Sequence, residues 1–148
     1  EDAQQCVRWY TMRWLIERYH YTLKSGCQIE ELQLEDAERI RRALAIYCIV
    51  AWRLLYLTYL ARYHPDQPST DVLDKEELEA LSCFVRKSKQ VPERLPTLND
   101  TIRMIAGLGG FLGRKGDGSP GVKVLWRGFR HLNDITMTYL LMKDVGNE

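Results

Sequence analysis

Between Tyr10 and Lys24 the chain reads YTMRWLIERYHYTLK, and four of its residues have side chains capable of phosphate and metal chemistry: Tyr10, Arg13, Glu17 and Lys24. On an α-helix turning about 100° per residue these four fall within a sector of roughly 60°. A carboxylate is a hard oxygen ligand suited to a divalent cation. A guanidinium fork, an ammonium and a phenolic hydroxyl beside it suit phosphate oxygens. The plainer reading is the solvated side of a helix, with Arg13 and Glu17 as an i,i+4 ion pair worth a few tenths of a kcal/mol. A single carboxylate does not make a two-metal site.

The same projection gathers Met12, Leu15, Ile16, Tyr19 and Leu23 into a second sector of about 100°, the width of a core-facing stripe. One helix with a buried and a polar side is therefore expected, with Glu1 and Asp2 at its N-terminus and a stop at Ser25-Gly26-Cys27, Gly26 taking the left-handed conformation. A second helical pattern begins near Glu35. From Ala43 to Leu60 it reads ALAIYCIVAWRLLYLTYL, apolar nearly all round, which predicts a wholly buried helix. The run is long enough to span a bilayer, but Arg53 at its centre and tyrosines spread along its length favour the central helix of a soluble domain.

His64-Pro65 and Pro68 close that helix. Asp74 with Glu77 three residues on has the pattern of a capping box, opening a helix through Leu78, Leu81 and Val85 that ends before Pro92. Thr97 or Asn99 caps a helix bearing Leu98, Ile102, Ile105 and Leu108, which Gly109-Gly110 punctuates. GRKGDGSPG is a tightly turned loop, and a last amphipathic helix runs from Val122 to near Lys143, before Gly146. No period-two strand and no internal repeat is apparent, so the fold class is all-α.

Residues number 148 with a net charge of +1, the size of one ordinary domain and no bulk basic excess, so contact with nucleic acid has to be local. Cys6, Cys27, Cys48 and Cys83 are far apart, without a CxxC pair or a histidine partner, which points to neither zinc nor disulfides and to a reducing cytoplasm. The opening EDAQQCVRWY lacks Met and enters directly into helical pattern, as expected of an excised piece of a longer polypeptide.

Tyr10, Arg13, Glu17 and Lys24 also fit Y-x-x-R-x-x-x-E-x-x-x-x-x-x-K, and in this the chain resembles the cut-and-paste bacterial transposases of the insertion-sequence-four family, Tn-five type. AWRLL at Ala51, LGGF at Leu108 and LWRGFRHL at Leu125 support the likeness in order along the chain. The resemblance implies that residues 1–64 are the closing helices of a ribonuclease-H-like catalytic core and 65–148 a helical dimerisation region. It implies that Glu17 is the last acidic residue of a DDE triad, binding Mg²⁺ or Mn²⁺ with two aspartates from elsewhere in the parent, and that Tyr10, Arg13 and Lys24 hold transposon-end DNA. Asp2 and Asp36 sit in helical or capping contexts, unlike the strand-borne aspartates of such enzymes, so this part alone is expected to be inactive.

His20 at the margin of the same face is a further candidate for DNA contact, and Glu31 and Gln33 lie in the loop beyond it. Arg86, Lys87, Lys89 and Arg94, with Arg114 and Lys115, are small basic groups that either face solvent or touch phosphates. GRKGDGSPG lacks GxxxxGK[ST] and follows no strand, so no nucleotide cofactor is expected. Trp9, Trp14, Trp52 and Trp126 are read as mostly core. Expected partners are transposon-end DNA and a second copy of the parent, without a membrane. The competing class is a stand-alone helical interaction or inhibitor module.

Overall fold

A computed structural model describes residues 2–145. Among them are six α-helices and no strand: α1 (Ala3–Thr11), α2 (Arg13–Tyr21), α3 (Ala37–Tyr63), α4 (Lys75–Arg86), α5 (Leu98–Leu108) and α6 (Val122–Val145). The all-α class holds. The chain forms two compact units, Glu1–Tyr56 and Leu57–Glu148, with the boundary inside α3. Glu1, expected beside Asp2 at the first N-terminus, and Gly146, expected after the last helix, lie outside the described residues.

In the first unit Asp2 caps α1 by accepting from the Gln4 amide at 3.2 Å. The single helix expected from Tyr10 to Lys24 is instead three pieces. Met12 interrupts it as a turn, where the Leu15 amide donates to Met12 oxygen at 2.9 Å in an i→i+3 bond. Beyond Tyr21 the backbone widens into a π-turn (Thr22–Gly26), closed by Cys27 donating to Thr22 oxygen at 2.8 Å. A tighter turn advances each residue by more than 100° and a wider one by less, so a fixed-angle projection loses phase at both ends. Gln28, at φ 57°, takes the left-handed position expected of Gly26. Glu38 pairs with Arg41 and Arg42 at the start of α3, where Asp36 accepts from the Glu38 amide.

Burial corrects two further expectations. Of the stripe assigned to the core, Leu23 is buried and Tyr19 half-buried, whereas Met12, Leu15 and Ile16 are exposed. Nor is α3 wholly buried: Ala51, Leu54, Leu57 and Ala61 form its buried seam, while Leu44, Ile46 and Ile49 face outward. Trp9, Trp14 and Trp52 are exposed as well, and Trp52 stacks on Tyr56 at 5.2 Å between centroids. Side-chain apolarity selects residues that gain by burial, but it does not supply the surface that buries them. Among the described residues α3 is the one helix long and apolar enough to cross a membrane, with a mean hydropathy of 1.7 over its best window and Arg53 inside it.

The second unit is a helical cluster around Leu57, Leu78, Leu81, Leu98, Ile105, Leu125 and Leu132. Its entry is pinned by backbone bonds. Leu98 donates to Gln67 oxygen and Asn99 to Pro65 oxygen, and Ser69 Oγ donates to Pro96 oxygen at 2.8 Å. The capping box at α4 is present, Asp74 N–H donating to Glu77 Oε2 at 3.1 Å, and Thr97 rather than Asn99 caps α5. Where α5 crosses α6, Gly109 and Gly128 let the backbones meet: a Cβ on Gly109 would overlap the Val124 carbonyl, and one on Gly128 the Ile105 carbonyl.

Candidate nucleic-acid interface

Arg13 opens α2 and Glu17 stands one turn on, so the two side chains meet on the same helix face, Arg13 Nε to Glu17 Oε1 at 3.3 Å. Both are open to solvent, with side-chain exposures of 64% and 66%. The pair sits on a helix that is itself held in place: Tyr19, two residues past Glu17, donates its hydroxyl to the Cys48 carbonyl of α3 at 3.1 Å. A hydrogen bond with the Cys48 side chain, then burial, pushes the Tyr19 hydroxyl up to about 12. Thr22 and Leu23, the first residues of the π-turn, are buried beside Cys27, whose thiol burial pushes up to about 11.

Lys24 and Tyr10 are placed differently from Arg13 and Glu17. Lys24 rides on the π-turn and reaches Glu30 Oε1 at 2.9 Å, a partner the helical projection does not contain. Tyr10 lies on α1, on the other side of the Met12 turn, and is exposed. His20 is exposed and its ring lies 5.9 Å from that of Tyr19. Glu31 bonds Gln28 Nε2 at 2.6 Å in the short helical turn that follows. All five candidates thus belong to one unit and one short segment, and Arg13 with Glu17 is the pair in direct contact.

Chemically, Arg13 spends Nε on Glu17 and keeps both terminal nitrogens for another acceptor. Glu17 keeps a second oxygen. Among the described residues no group of three or more His, Cys, Asp or Glu converges.

Sequence reasoning missed a polar cluster in the second unit. Glu79 on α4 is buried and accepts from Tyr139 at 3.0 Å and Lys143 at 3.4 Å on α6, with Lys75 Nζ at 3.8 Å. Tyr139 and Lys143 are 60 and 64 residues from Glu79 in the chain, and no local pattern joins them to it. A glutamate on the apolar side of α4 was the available signal.

The family model of the Transposase Tn5 dimerisation domain matches residues 49–139. The chain belongs to that family. Within this Tn5-type chain the match takes in the later part of α3, all of α4 and α5, and α6 to Tyr139. The Tn5-type chain is accordingly transposase-related, and a dimerisation domain supports its association with a second copy. The Tyr10 to Lys24 segment lies before the matched residues.

Proposed function

We propose that this chain serves as the C-terminal part of a cut-and-paste DDE transposase of the insertion-sequence-four type, acting in the cytoplasm on chromosomal or plasmid DNA. In this reading Glu17 contributes one carboxylate to a Mg²⁺ or Mn²⁺ site whose other ligands come from elsewhere in the parent, and Arg13, Lys24, Tyr10 and His20 hold the transposon-end strand. A metal of this kind would polarise a phosphodiester and activate the attacking oxygen. This chain's own part is to present Glu17 from a rigid turn, fixed by Arg13, and to offer guanidinium and ammonium donors to phosphate. The observation that supports it most is the solvent-facing Arg13–Glu17 pair ahead of a transposase dimerisation domain. The exposed Met12, Ile16, Ile46 and Ile49 add to it, because an apolar surface of that extent fits a covering partner.

In the parent protein, Glu17→Ala is expected to abolish metal-dependent nicking at transposon ends and leave end binding intact, whereas undiminished nicking would refute the assignment. The rival is a helical interaction or inhibitor module that pairs with a transposase. The match of residues 49–139 to a dimerisation domain is what favours it. An upstream reading frame encoding two strand-borne aspartates decides for the enzyme part, and a start codon next to Glu1 for the module.

A further inference from the structure

Residues 103–131 carry six lysines and arginines against one carboxylate, Asp117, in a chain whose net charge is only +1. On α6 the excess follows one side of the helix. Lys123, Arg127, Arg130 and His131 follow one another at helical spacings of four, three and one along α6, all exposed, opposite the buried seam of Leu125, Gly128, Leu132 and Thr136. Arg127 reaches back so that its guanidinium lies 3.9 Å from where a Gly110 Cβ would stand. Arg103 of α5 lies over the Phe111 ring at 5.4 Å and beside Gly113, forming with Asp100, Phe111 and Leu112 a shallow depression of about 330 Å³. Arg114 and Lys115 follow directly. Their loop is given a fixed shape by Asp117, whose Oδ2 accepts the Arg114 amide at 2.7 Å.

This basic surface is unneutralised. Six cations outside this region are paired, Arg13 with Glu17, Lys24 with Glu30, Arg41 and Arg42 with Glu38, and Lys75 and Lys143 with Glu79. No ion pair among the described residues involves Arg103, Arg114, Lys115, Lys123, Arg127 or Arg130. Nor does the first turn of α6 contain an acidic residue, and none occurs from Val122 to Asn133. Lys123 therefore sits at the helix end where the macrodipole disfavours a cation. Surfaces built only for solubility intersperse both signs. Three cations on one stripe of a rigid helix, ending one turn before the exposed Asp134 and continued by a guanidinium-flanked turn, match a row of regularly spaced anions.

We propose that this face, Lys123, Arg127 and Arg130 with Arg103, Arg114 and Lys115, binds the phosphate backbone of duplex DNA without reading its sequence. The inference rests on the transposase reading for the choice of DNA as the polyanion. It adds a contact surface in the second unit, separate from the Tyr10 to Lys24 segment. Phosphate contacts of this kind release counterions, so affinity falls with salt in proportion to their number.

Fluorescence anisotropy of the chain with a labelled duplex of arbitrary sequence, over a salt series, tests it. Arg127→Gln with Arg130→Gln is expected to weaken binding about tenfold or more and to lower the slope of log affinity against log salt by about 1.8, two phosphate contacts' worth. Unchanged affinity and slope, with helicity intact by circular dichroism, would overturn the proposal, as would binding to phosphatidylserine vesicles in place of duplex. Should the double variant fold poorly, Lys115→Gln with Lys123→Gln gives the same readout from the loop and first turn. If Arg13→Gln with Lys24→Gln removes all duplex binding and the stripe variants none, this surface is refuted while the transposase reading stands. If the Glu17→Ala parent still nicks, the catalytic assignment falls and the anisotropy result is unaffected.

Discussion

Tyr139 on α6 donates a 3.0 Å hydrogen bond to Glu79 Oε2 on α4, closing a contact between residues 60 apart in the chain. Burial pushes the Glu79 carboxyl up, but the hydrogen bonds from Tyr139 and Lys143 and the charges of Lys143 and Lys75 outweigh it and hold the carboxyl below its ordinary value. A carboxyl lowered in the folded state contributes stability that is present above its unfolded range and is lost as pH falls through the folded value. Tyr139→Phe removes a bond to a charged acceptor and is expected to cost on the order of 2 kcal/mol in urea unfolding at neutral pH. The part of the stability lost on acidification should also be smaller in that variant, because its Glu79 carboxyl lies closer to the ordinary value when folded. An unchanged acid limb would show that the contact is not formed in solution.

Gly128→Ala should destabilise the second unit by about 2 kcal/mol or more, since the added methyl must push α6 off the Ile105 carbonyl. Thermal melts of Gly128→Ala and Gly107→Ala provide the comparison. Position 107 has open space around it and should lose far less.

Cys27 and Cys6 should differ in reactivity. Cys27 is buried with its thiol pushed up to about 11, and Cys6 is exposed. Iodoacetamide near pH 8 should label Cys6 readily and Cys27 only on unfolding, read by mass spectrometry of peptides. A thiol whose value is raised in the folded state favours folding while neutral. Its contribution, on the order of 2 kcal/mol, is present below pH 9 and disappears as pH climbs from 9.0 to about 11.

Thr101 Oγ1 is buried without a hydrogen-bond partner. Replacing it by valine removes a desolvated hydroxyl at little change in shape, so Thr101→Val should leave stability equal or slightly raised in denaturant titration.

Glu17→Gln should change the stability of the chain by less than about 0.5 kcal/mol, because an exposed i,i+4 pair contributes little. Chemical denaturation that matches the parent sequence would then assign any loss of nicking to chemistry and not to unfolding.

Much of the fold was legible in the sequence where a local rule decides it. The Asp74–Glu77 box, a cap at Thr97 or Asn99 and the stop at Gly109 need only neighbours along the chain, and the structure has the box, the stop and, of the two caps, Thr97. The site was legible in part. Arg13 and Glu17 are one α-turn apart and meet as spacing requires, whereas Lys24 follows a π-turn no residue pattern announces and meets Glu30. Burial was read least well, since Ile49 and Trp52 have the composition of a core residue and face outward. Composition fixes what a side chain gains from being covered, and only the tertiary arrangement fixes whether it is. Glu79 escaped for the same reason, its partners lying on a helix that sequence spacing cannot bring near.

The glycine crossing of α5 and α6 makes the distance between these helices a matter of peptide geometry, common to every sequence, and not of side-chain volume. Neighbouring aliphatic positions are free to drift in size without resetting that spacing. Lineages descended from this chain should therefore vary in the bulk around the crossing yet keep the outward side of α6 in constant registry with the turn before it.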